Sequence, residues 1–487
     1  MTDLAIIPNW LMQRAYLTPE RIGLETKENA LTFKEMHEMA LKRAGALMSF
    51  GVKKGDRVAI LMKNSSEMVH MIHAVFYCGG AAVLLNTRLS ASEMHYQIKD
   101  SGAALLITGA EFSGQVQEMD IKTFTAVQAE PIFRLPVEFE TEFDLAETAV
   151  IMYTSGTTGK PKGVMQTFGN HYWSAVGSAL NLGLHTEDKW LAAVPLFHIS
   201  GLSILFRSVI YGITVQLHEQ FDAKTVNQSI LKEKVSIVSA VSTMLAALVQ
   251  DLNGGTYPET FRCMLLGGGP APASLLSRCK DKNIPVFQTY GMTETSSQFA
   301  TLPPEYALQK SGSAGKPLFP CRIKVVDGSG DEAGVNVPGE IMVKGPNVMK
   351  GYWNNEEATR KAMHQGWLKT GDIGRIDEEG FLFMMDRRSD LIISGGENIY
   401  PAEIESVLQE HPLVLEAGVT GVADDRWGQV PHAYVAVSQD ISGNELLQFC
   451  SERLAKYKVP KKIIFTDALP RNASRKLQRH LLKGKEL

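Results

Sequence analysis

Residues 153–163 read Y-T-S-G-T-T-G-K-P-K-G, the densest run of hydroxyl, glycine and lysine residues in the chain. The hydroxyls belong to Thr154, Ser155, Thr157 and Thr158, the glycines are Gly156, Gly159 and Gly163, and Lys160 and Lys162 close the run. Glycine lets backbone amides approach an anion closely and adopt positive φ. A run of such amides makes a concave anion site, to which hydroxyls and ammonium groups add donors and charge. The stretch therefore reads as a phosphate-holding loop. It is not a Walker-type loop, because Pro161 follows Lys160 where that motif needs Ser or Thr opening a helix. Apolar V-I-M-Y precedes it and K-G-V-M-Q-T follows, so the loop is expected to join two strands. The bland alternative is a surface turn rich in Gly and Thr.

Working away from the loop, the bulk of the chain is ordinary. It has 487 residues, 44% hydrophobic and 21% charged, enough for several domains with real cores. The net charge of -4 implies no polyanion-binding surface, so no nucleic-acid partner is expected. The five cysteines, Cys78, Cys263, Cys279, Cys321 and Cys450, lie far apart and read as reduced, buried thiols of a cytoplasmic protein. The opening M-T-D-L-A-I-I-P-N-W shows no signal-peptide pattern, and the longest apolar region, residues 191–217, is broken by Pro195, His198 and Arg207. No membrane span is expected. A homo-oligomer stays open.

Upstream of the loop, helix and strand alternate. Thr32 and Glu35 form a capping-box pattern, after which Phe33, Met36, Ala40, Ala44 and Leu47 share one helical face. R-V-A-I-L-M, A-A-V-L-L-N and A-A-L-L-I-T read as strands, separated by helices near residues 66–78 and after Ser90 with Glu93. Near-continuous apolar strands alternating with helices predict a covered parallel sheet. Since no G-x-G-x-x-G follows them, a dinucleotide fold is not favoured. Residues 109–147 read as an irregular connection with one strand.

Downstream, W-L-A-A-V-P-L-F-H-I-S-G-L leads into an apolar helix over 202–211, with His198 before it. Taken alone, that histidine is a satisfied, half-buried side chain. R-C-M-L-L-G-G-G-P-A-P is a buried strand ending in Gly267, Gly268 and Gly269, which leaves room for a flat ligand where α/β sheets bind them. The next strand ends in F-Q-T-Y-G-M-T-E-T. There Tyr290 can stack on an aromatic base, Thr293 can bond a phosphate and Glu294 can hold Mg2+. From Gly312 the composition turns to Gly, Pro and β-formers and predicts a small β barrel or sandwich ending near T-G-D at Asp372. The last hundred or so residues alternate again and predict a separate small α+β domain.

In their order, Y-T-S-G-T-T-G-K-P-K-G, P-L-F-H, Y-G-M-T-E, T-G-D, D-R-R-S-D and the terminal S-R-K resemble the adenylate-forming superfamily of acyl-CoA synthetases, luciferases and adenylation domains. The resemblance covers most of the chain. It implies an α/β plus α+β architecture: a large domain over 1–386, with a β-rich lobe from about 312 to 386, and a small mobile domain over 387–487 hinged near Ser389. It implies ATP, Mg2+ and coenzyme A as ligands, and a small-molecule carboxylic acid as substrate. Lys476 matches the catalytic lysine, Thr293 and Glu294 the phosphate and metal contacts, Asp372 and Arg387 the ribose or phosphate contacts, and His198 a group that gates or orients substrate. Thr154, Ser155, Gly156, Thr157, Thr158 and Lys160 would cradle the β and γ phosphates, and Gly267, Gly268, Gly269, Gln288, Thr289 and Tyr290 the rest of the nucleotide. Gly395 and Gly396 would reach the CoA channel. For the acid, Ser200, Ser203, Arg207, Gly291, Ser296 and Ser297 are the pocket candidates, polar enough for a keto group and a second carboxylate. Three departures stand out: Ala423 where Pro is common, Gln429 where Glu is, and Arg475 where Gly usually precedes the lysine.

Three activities are consistent with this reading. The first is a two-step carboxylate–CoA ligase, on a keto diacid or on an aryl or medium-chain acid. The second is a stand-alone adenylation enzyme loading a carrier protein. The third is a nucleotide-binding protein without catalysis.

Overall fold

The computed structural model describes residues 6–117, 119–126, 138–154, 160–268, 271, 273–327, 329–386, 392–399, 401–470, 477 and 479–484. Helix α1 (Phe33–Ser49) begins at the Thr32–Glu35 capping box, and Phe33, Met36, Ala40, Ala44 and Leu47 are all fully buried along one face. After it come β1 (Arg57–Leu61), α2 (Ser66–Tyr77), β2 (Ala81–Leu84), α3 (Ala91–Ser101) and β3 (Leu105–Thr108). The capping box at Ser90 and Glu93 starts α3. The three strands are parallel neighbours and almost wholly buried, as expected of a sheet covered on both faces.

β4 (Thr148–Thr154) and β5 (Lys162–Thr167) extend this seven-stranded sheet. β4 is parallel to β2 and antiparallel to β5, with Thr154 opposite Lys162, so residues 153–163 do join two strands. Among the described residues between 109 and 147 two short strands form, Thr123–Thr125 and Glu142–Asp144, rather than one. The second of them pairs with Ile6–Pro8, a long-range contact that no local pattern announces.

The second sheet is built from α4 (Phe168–Leu182), β6 (Lys189–Ala192), α5 (Ile199–Tyr211), β7 (Thr214–Leu217), β8 (Ile237–Val241), α6 (Ser242–Asp251), β9 (Cys263–Gly267), α7 (Ala273–Asp281), β10 (Val286–Met292) and β11 (Ser297–Leu302). β7, β6, β8, β9 and β10 are parallel in that spatial order, and β11 turns back antiparallel on β10. β12 (Ser313–Pro317), β13 (Arg322–Val326), β14 (Gly339–Lys344), β15 (Trp367–Ile376) and β16 (Leu382–Asp386) make up the β-rich lobe. Its hydrogen bonding is continuous with the α/β sheet through β11 and β12, so the lobe extends a fourteen-stranded sheet instead of closing on itself.

The small domain holds β17 (Ile392–Ser394), β18 (Glu397–Ile399), α8 (Pro401–Gln409), β19 (Val414–Asp424), β20 (Gly428–Val437), α9 (Gly443–Ser451) and β21 (Lys462–Phe465). Gly395 and Gly396, at φ +56° and +87°, form the two-residue turn between β17 and β18. That conformation is the one a tight hairpin demands and glycine adopts without strain. The domain has its own core around Ile399, Leu408, Val419, Val435 and Leu446.

Candidate active site

A cavity of about 830 Å3 opens where the ends of β4, β8, β9 and β10 converge, and the small domain closes over it with Gly396 and Glu397. Strand alternation decides which predicted residues reach it. Along β10, Thr289 and Gly291 face the cavity, while Gln288 and Tyr290 are buried on the opposite face. The Gln288 carboxamide oxygen accepts a 3.4 Å bond from the Ala271 amide. Tyr290 corrects the sequence reading. Its ring is packed in the lobe core and is not a face open for base stacking, and its hydroxyl donates to Asp372 Oδ2 at 2.8 Å. Tyr290 thus fixes the orientation of a buried aspartate that does line the cavity.

Beyond β10 a tight 3-10 turn carries Thr293, Glu294 and Thr295. The Thr293 carbonyl accepts a 2.7 Å bond from Gln166 Nε2, and the Thr295 hydroxyl receives the Met292 amide at 2.9 Å, which pins the turn at both ends. Glu294 lies deep, open only to the cavity, and its Oε1 accepts from the Tyr352 hydroxyl at 3.1 Å. Burial holds its carboxyl above the usual range and Asp372 adds to the rise, against the pull of the Tyr352 bond and the Lys162 charge. Lys162 itself sits 5.2 Å above the Tyr352 ring. Sequence reasoning counts Lys162 among the ammonium groups of the phosphate loop and passes over Tyr352. Lys162 stands inside the quoted loop and Tyr352 inside K-G-Y-W, but only the fold shows that both reach the glutamate.

Among the described residues no group of three His, Cys, Asp or Glu side chains could hold a metal by itself. Mg2+ does not need one, since it is bound through one or two carboxylates together with substrate phosphates and waters. Glu294, a carboxylate in the cavity wall with its Oε1 on the Tyr352 hydroxyl, suits that role.

Of the phosphate loop, Thr154 lines the cavity and Lys160 is exposed. Ser155, Gly156, Thr157 and Thr158 lie outside the described residues, as do Gly269, Arg387, Ser389 and Lys476. Gly267 and Gly268 line the cavity at the end of β9, Gly268 at φ +80°.

The acid-binding candidates converge from two elements. On α5, which starts at Ile199 with His198 at its N-cap rather than at Leu202, Ser200, Ser203 and Arg207 point to the cavity. On the turn into β11, Ser296 and Ser297 both have positive φ, 51° and 98°. Ser203 Oγ is 3.2 Å from Ser297 Oγ, and Arg207 Nη2 is 3.4 Å from Ser297 Oγ and 3.5 Å from Ser174 Oγ. Ser296 is buried and its carbonyl accepts from Ser174 Oγ at 2.7 Å, so it shapes the turn from behind. Arg207 is 1% exposed, rests 5.3 Å above the Trp190 ring, and has no carboxylate within 4 Å among the described residues. Burial alone pulls its pKa below the usual guanidinium value, and its charge helps hold buried His171 neutral, with a pKa near 3 set first by burial.

At the mouth, His198 Nε2 lies 3.3 Å from Glu397 Oε2 of the small domain, and Arg88 Nη1 lies 2.7 Å from Glu397 Oε1. Sequence reasoning places Gly395 and Gly396 near here but passes over Glu397 and Arg88. Gly396 approaches Val241 at the end of β8, where an added Cβ would lie 3.5 Å from a valine methyl.

A glycine-lined cleft, one carboxylate set in its wall, a second held by tyrosine and a separate domain over the mouth are the layout of a two-domain adenylate-forming enzyme. Residues 11–353 match the AMP-binding enzyme model and residues 403–476 the AMP-binding enzyme C-terminal domain, and the chain belongs to this family. It is 57% identical over 479 residues to a 2-succinylbenzoate–CoA ligase from Geobacillus sp. (strain WCH70), covering 98% of this chain and 97% of that one. It is also similar to two solved structures of o-succinylbenzoate CoA synthetase from Bacillus subtilis, each 54% identical. A double mutant bound with the product analogue OSB-NCoA gives a TM-score of 0.95 over 99% of both chains. The complex with ATP and magnesium ion gives 0.78 over 98% of this chain and 100% of that one.

Proposed function

We propose that this chain is an AMP-forming acid–thiol ligase that joins 2-succinylbenzoate to coenzyme A at the expense of ATP, a reaction of menaquinone biosynthesis. The observation that carries the reading is a single cavity whose walls include Glu294, Asp372, the Gly396 turn and an Arg207 guanidinium with no carboxylate partner among the described residues. A buried cation without a counter-ion is costly unless a ligand supplies one. The second carboxylate of 2-succinylbenzoate is such a ligand, and the relatives named above support that choice over a mono-acid.

The reaction has two steps. The substrate carboxylate attacks the α-phosphorus of ATP, forming the acyl-adenylate and releasing pyrophosphate. The CoA thiol then loses its proton and attacks the acyl carbonyl, and AMP leaves with the adenylate oxygen. No enzyme nucleophile is required, so the protein works by positioning and charge neutralisation. In this reading Thr154, Ser155, Gly156, Thr157, Thr158 and Lys160 hold the β and γ phosphates. Gly267, Gly268, Gly269 and Thr289 flank the base, and Asp372 and Arg387 hold the ribose. Bound Mg2+ would neutralise phosphate charge, and Glu294 is the residue that would hold it, with Thr293 on a phosphate oxygen. Lys476 would contact the carboxylate and bridging oxygen in the first step. Ser200, Ser203, Gly291 and Ser297 line the acyl end, with Arg207 on the distal carboxylate. His198 stands at the mouth beside Glu397, suited to gating. We place the domain boundary at 386/387, with rotation about Ser389 between the steps. The likeness to the product-analogue complex supports assigning the present arrangement to the thioester step. Among the described residues no helix is long and apolar enough to cross a membrane. The cysteines of the described structure are unpaired, four of them buried, as suits the reducing conditions of a cytoplasmic enzyme.

Pyrophosphate release measured over a panel of acids tests the proposal. 2-Succinylbenzoate is expected to be preferred by at least about 10²-fold in kcat/KM over benzoate or a medium-chain acid that lacks the second carboxylate. Equal rates across the panel would reject the substrate. Thioester formed only on a carrier protein, and never with free CoA, would reject the acceptor.

A further inference from the structure

Where Lys458 reaches the cavity wall, one ion cluster bridges the two domains. Lys458, between α9 and β21, is buried with its Nζ 2.8 Å from Glu93 Oε1 of the large domain and 2.7 Å from Glu403 Oε1 of the small domain. All three side chains are at least nine-tenths shielded from solvent. Glu93 has a second task. Its Oε2 accepts the Ser90 amide and hydroxyl, both at 2.8 Å, completing the cap of α3. The Ser90 hydroxyl also lies 3.0 Å from the Arg453 carbonyl, so the cap itself is docked on the small domain. Glu403 sits in the first turn of α8, where the helix dipole favours a carboxylate. Its remaining oxygen has no hydrogen-bond partner among the described residues.

We propose that Lys458 is a positioning residue for the thioester step. Its contact with Glu93 latches the small domain in the orientation that brings Gly396 and Glu397 to the cavity. The inference rests on the reading that one chain performs both half-reactions in two domain arrangements. Stability alone does not account for the cluster, because a buried ion pair is weak evidence for stability. What distinguishes this one is its division between domains. When the small domain turns away, Lys458 keeps Glu403 and both regain water, while Glu93 keeps its cap. Neither arrangement leaves a charge buried without a partner, so the contact can form and break reversibly. Truncating Lys458 changes that balance, because two carboxylates then face each other across the interface in one arrangement only. The effect must fall on that arrangement and spare the other.

Three measurements on the full chain test this. Thioester formation from supplied acyl-adenylate is expected to slow by about 10²-fold in Lys458→Met, the cost typical of breaking a buried pair, while ATP–pyrophosphate exchange stays within a few-fold of wild type. Disulfide formation in a Ser92→Cys/Arg453→Cys pair, which joins α3 to the small domain, reads the orientation without any chemistry and should slow at least about 10-fold when Lys458→Met is added. Adding Glu93→Gln to Lys458→Met removes one of the facing carboxylates and should restore part of the thioester rate. Equal slowing of both half-reactions, or an unchanged cross-linking rate, would overturn the latch. If Lys458→Met fails to fold, Glu93→Gln alone decides, since it keeps the Lys458–Glu403 pair and the α3 cap. A thioester rate and cross-linking rate both equal to wild type in Glu93→Gln would also reject the proposal. Absence of pyrophosphate exchange with 2-succinylbenzoate in the unmodified protein would reject the proposed function instead, and the cross-linking rate would still decide the latch.

Discussion

At Arg207 and Glu294 the local environment opposes the charge, and both face the cavity. Arg207 is a guanidinium that burial disfavours, with serine hydroxyls at 3.4 and 3.5 Å as its polar neighbours. Truncating it should therefore cost substrate binding and relieve the fold. We expect Arg207→Met to raise KM for 2-succinylbenzoate by roughly 10²-fold, the value of a charged hydrogen-bonded contact, with little change for a mono-acid. Equal loss for both acids would show the arginine to be structural. Glu294 makes the opposite sign of argument. Its folded pKa is raised by burial, so the native state binds more protons than the unfolded chain just above the ordinary glutamate range. Its contribution to stability is therefore fully present at lower pH and lost as pH rises through the raised value. Glu294→Gln should accordingly raise Tm at pH 7–8 while cutting adenylate formation by at least about 10²-fold. An unchanged or lower Tm in that pH range would contradict the assignment. Of these residues, Glu294 and Arg207 are legible in the sequence as types. That Tyr352 holds the former is not, because the two are brought together only when Gly351–Tyr352 pairs with β5.

Among the elements, the β10–β11 hairpin does the most to shape the site. It carries Thr289 and Gly291 on its open face, Tyr290 on its closed face, the Glu294 turn at its tip and Ser297 on its return. The bulge between Tyr290 and Gly291 brings the two strands unusually close. A Cβ on Gly291 would lie 1.9 Å from the Ser297 carbonyl oxygen, so any side chain there must push backbone aside. Gly291→Ala is expected to destabilise the protein by about 1–3 kcal/mol, the range for overpacking, and to lower adenylate formation further than that loss explains, because the turn moves with the strand. Denaturant unfolding followed beside pyrophosphate release would check it, and a variant stable to within 0.5 kcal/mol would refute the close-packing argument. Elements of this kind show what sequence can and cannot specify. Helix starts were readable because a capping box is a local hydrogen-bond pattern, as at Thr32 and Ser90. The inward face of β10 was not, since Tyr290 looks the better ligand by chemistry while the pleat assigns the open side to Thr289 and Gly291. The continuity of the lobe with the main sheet was also hidden, because β11–β12 pairing is tertiary.

For the molecule as a whole, the two half-reactions are expected to respond differently to acid, because different carboxylates govern them. Adenylate formation depends on Glu294, whose pKa burial raises. The closed arrangement seen here depends on Glu397, which burial would also raise but which His198, Arg88 and Lys458 together pull below the usual carboxylate range. For a depressed carboxylate the stabilisation is present above the unfolded value near 4.5 and lost only as pH falls through the lower folded value. As pH falls towards the unfolded glutamate value near 4.5, there is therefore a window in which the Glu397 contacts stay formed while Glu294, its pKa raised, is the first of the two to protonate, and protonation competes with metal binding. We predict an acid limb in ATP–pyrophosphate exchange over this window and none from Glu397 in thioester formation from supplied acyl-adenylate. Tyr352→Phe should move the first limb to higher pH, by up to about one unit, because the bond it removes favours the ionised Glu294. The second profile should not move, since the groups that hold Glu397 are His198, Arg88 and Lys458. Glu397→Gln should do the reverse, slowing the thioester step at every pH while leaving the acid limb of exchange in place. The discriminating measurement is the pair of profiles recorded on one enzyme preparation. Coincident acid limbs that shift together in both variants would mean that a single group controls both steps, and the division of labour between Glu294 in the large domain and Glu397 in the small one would have to be abandoned.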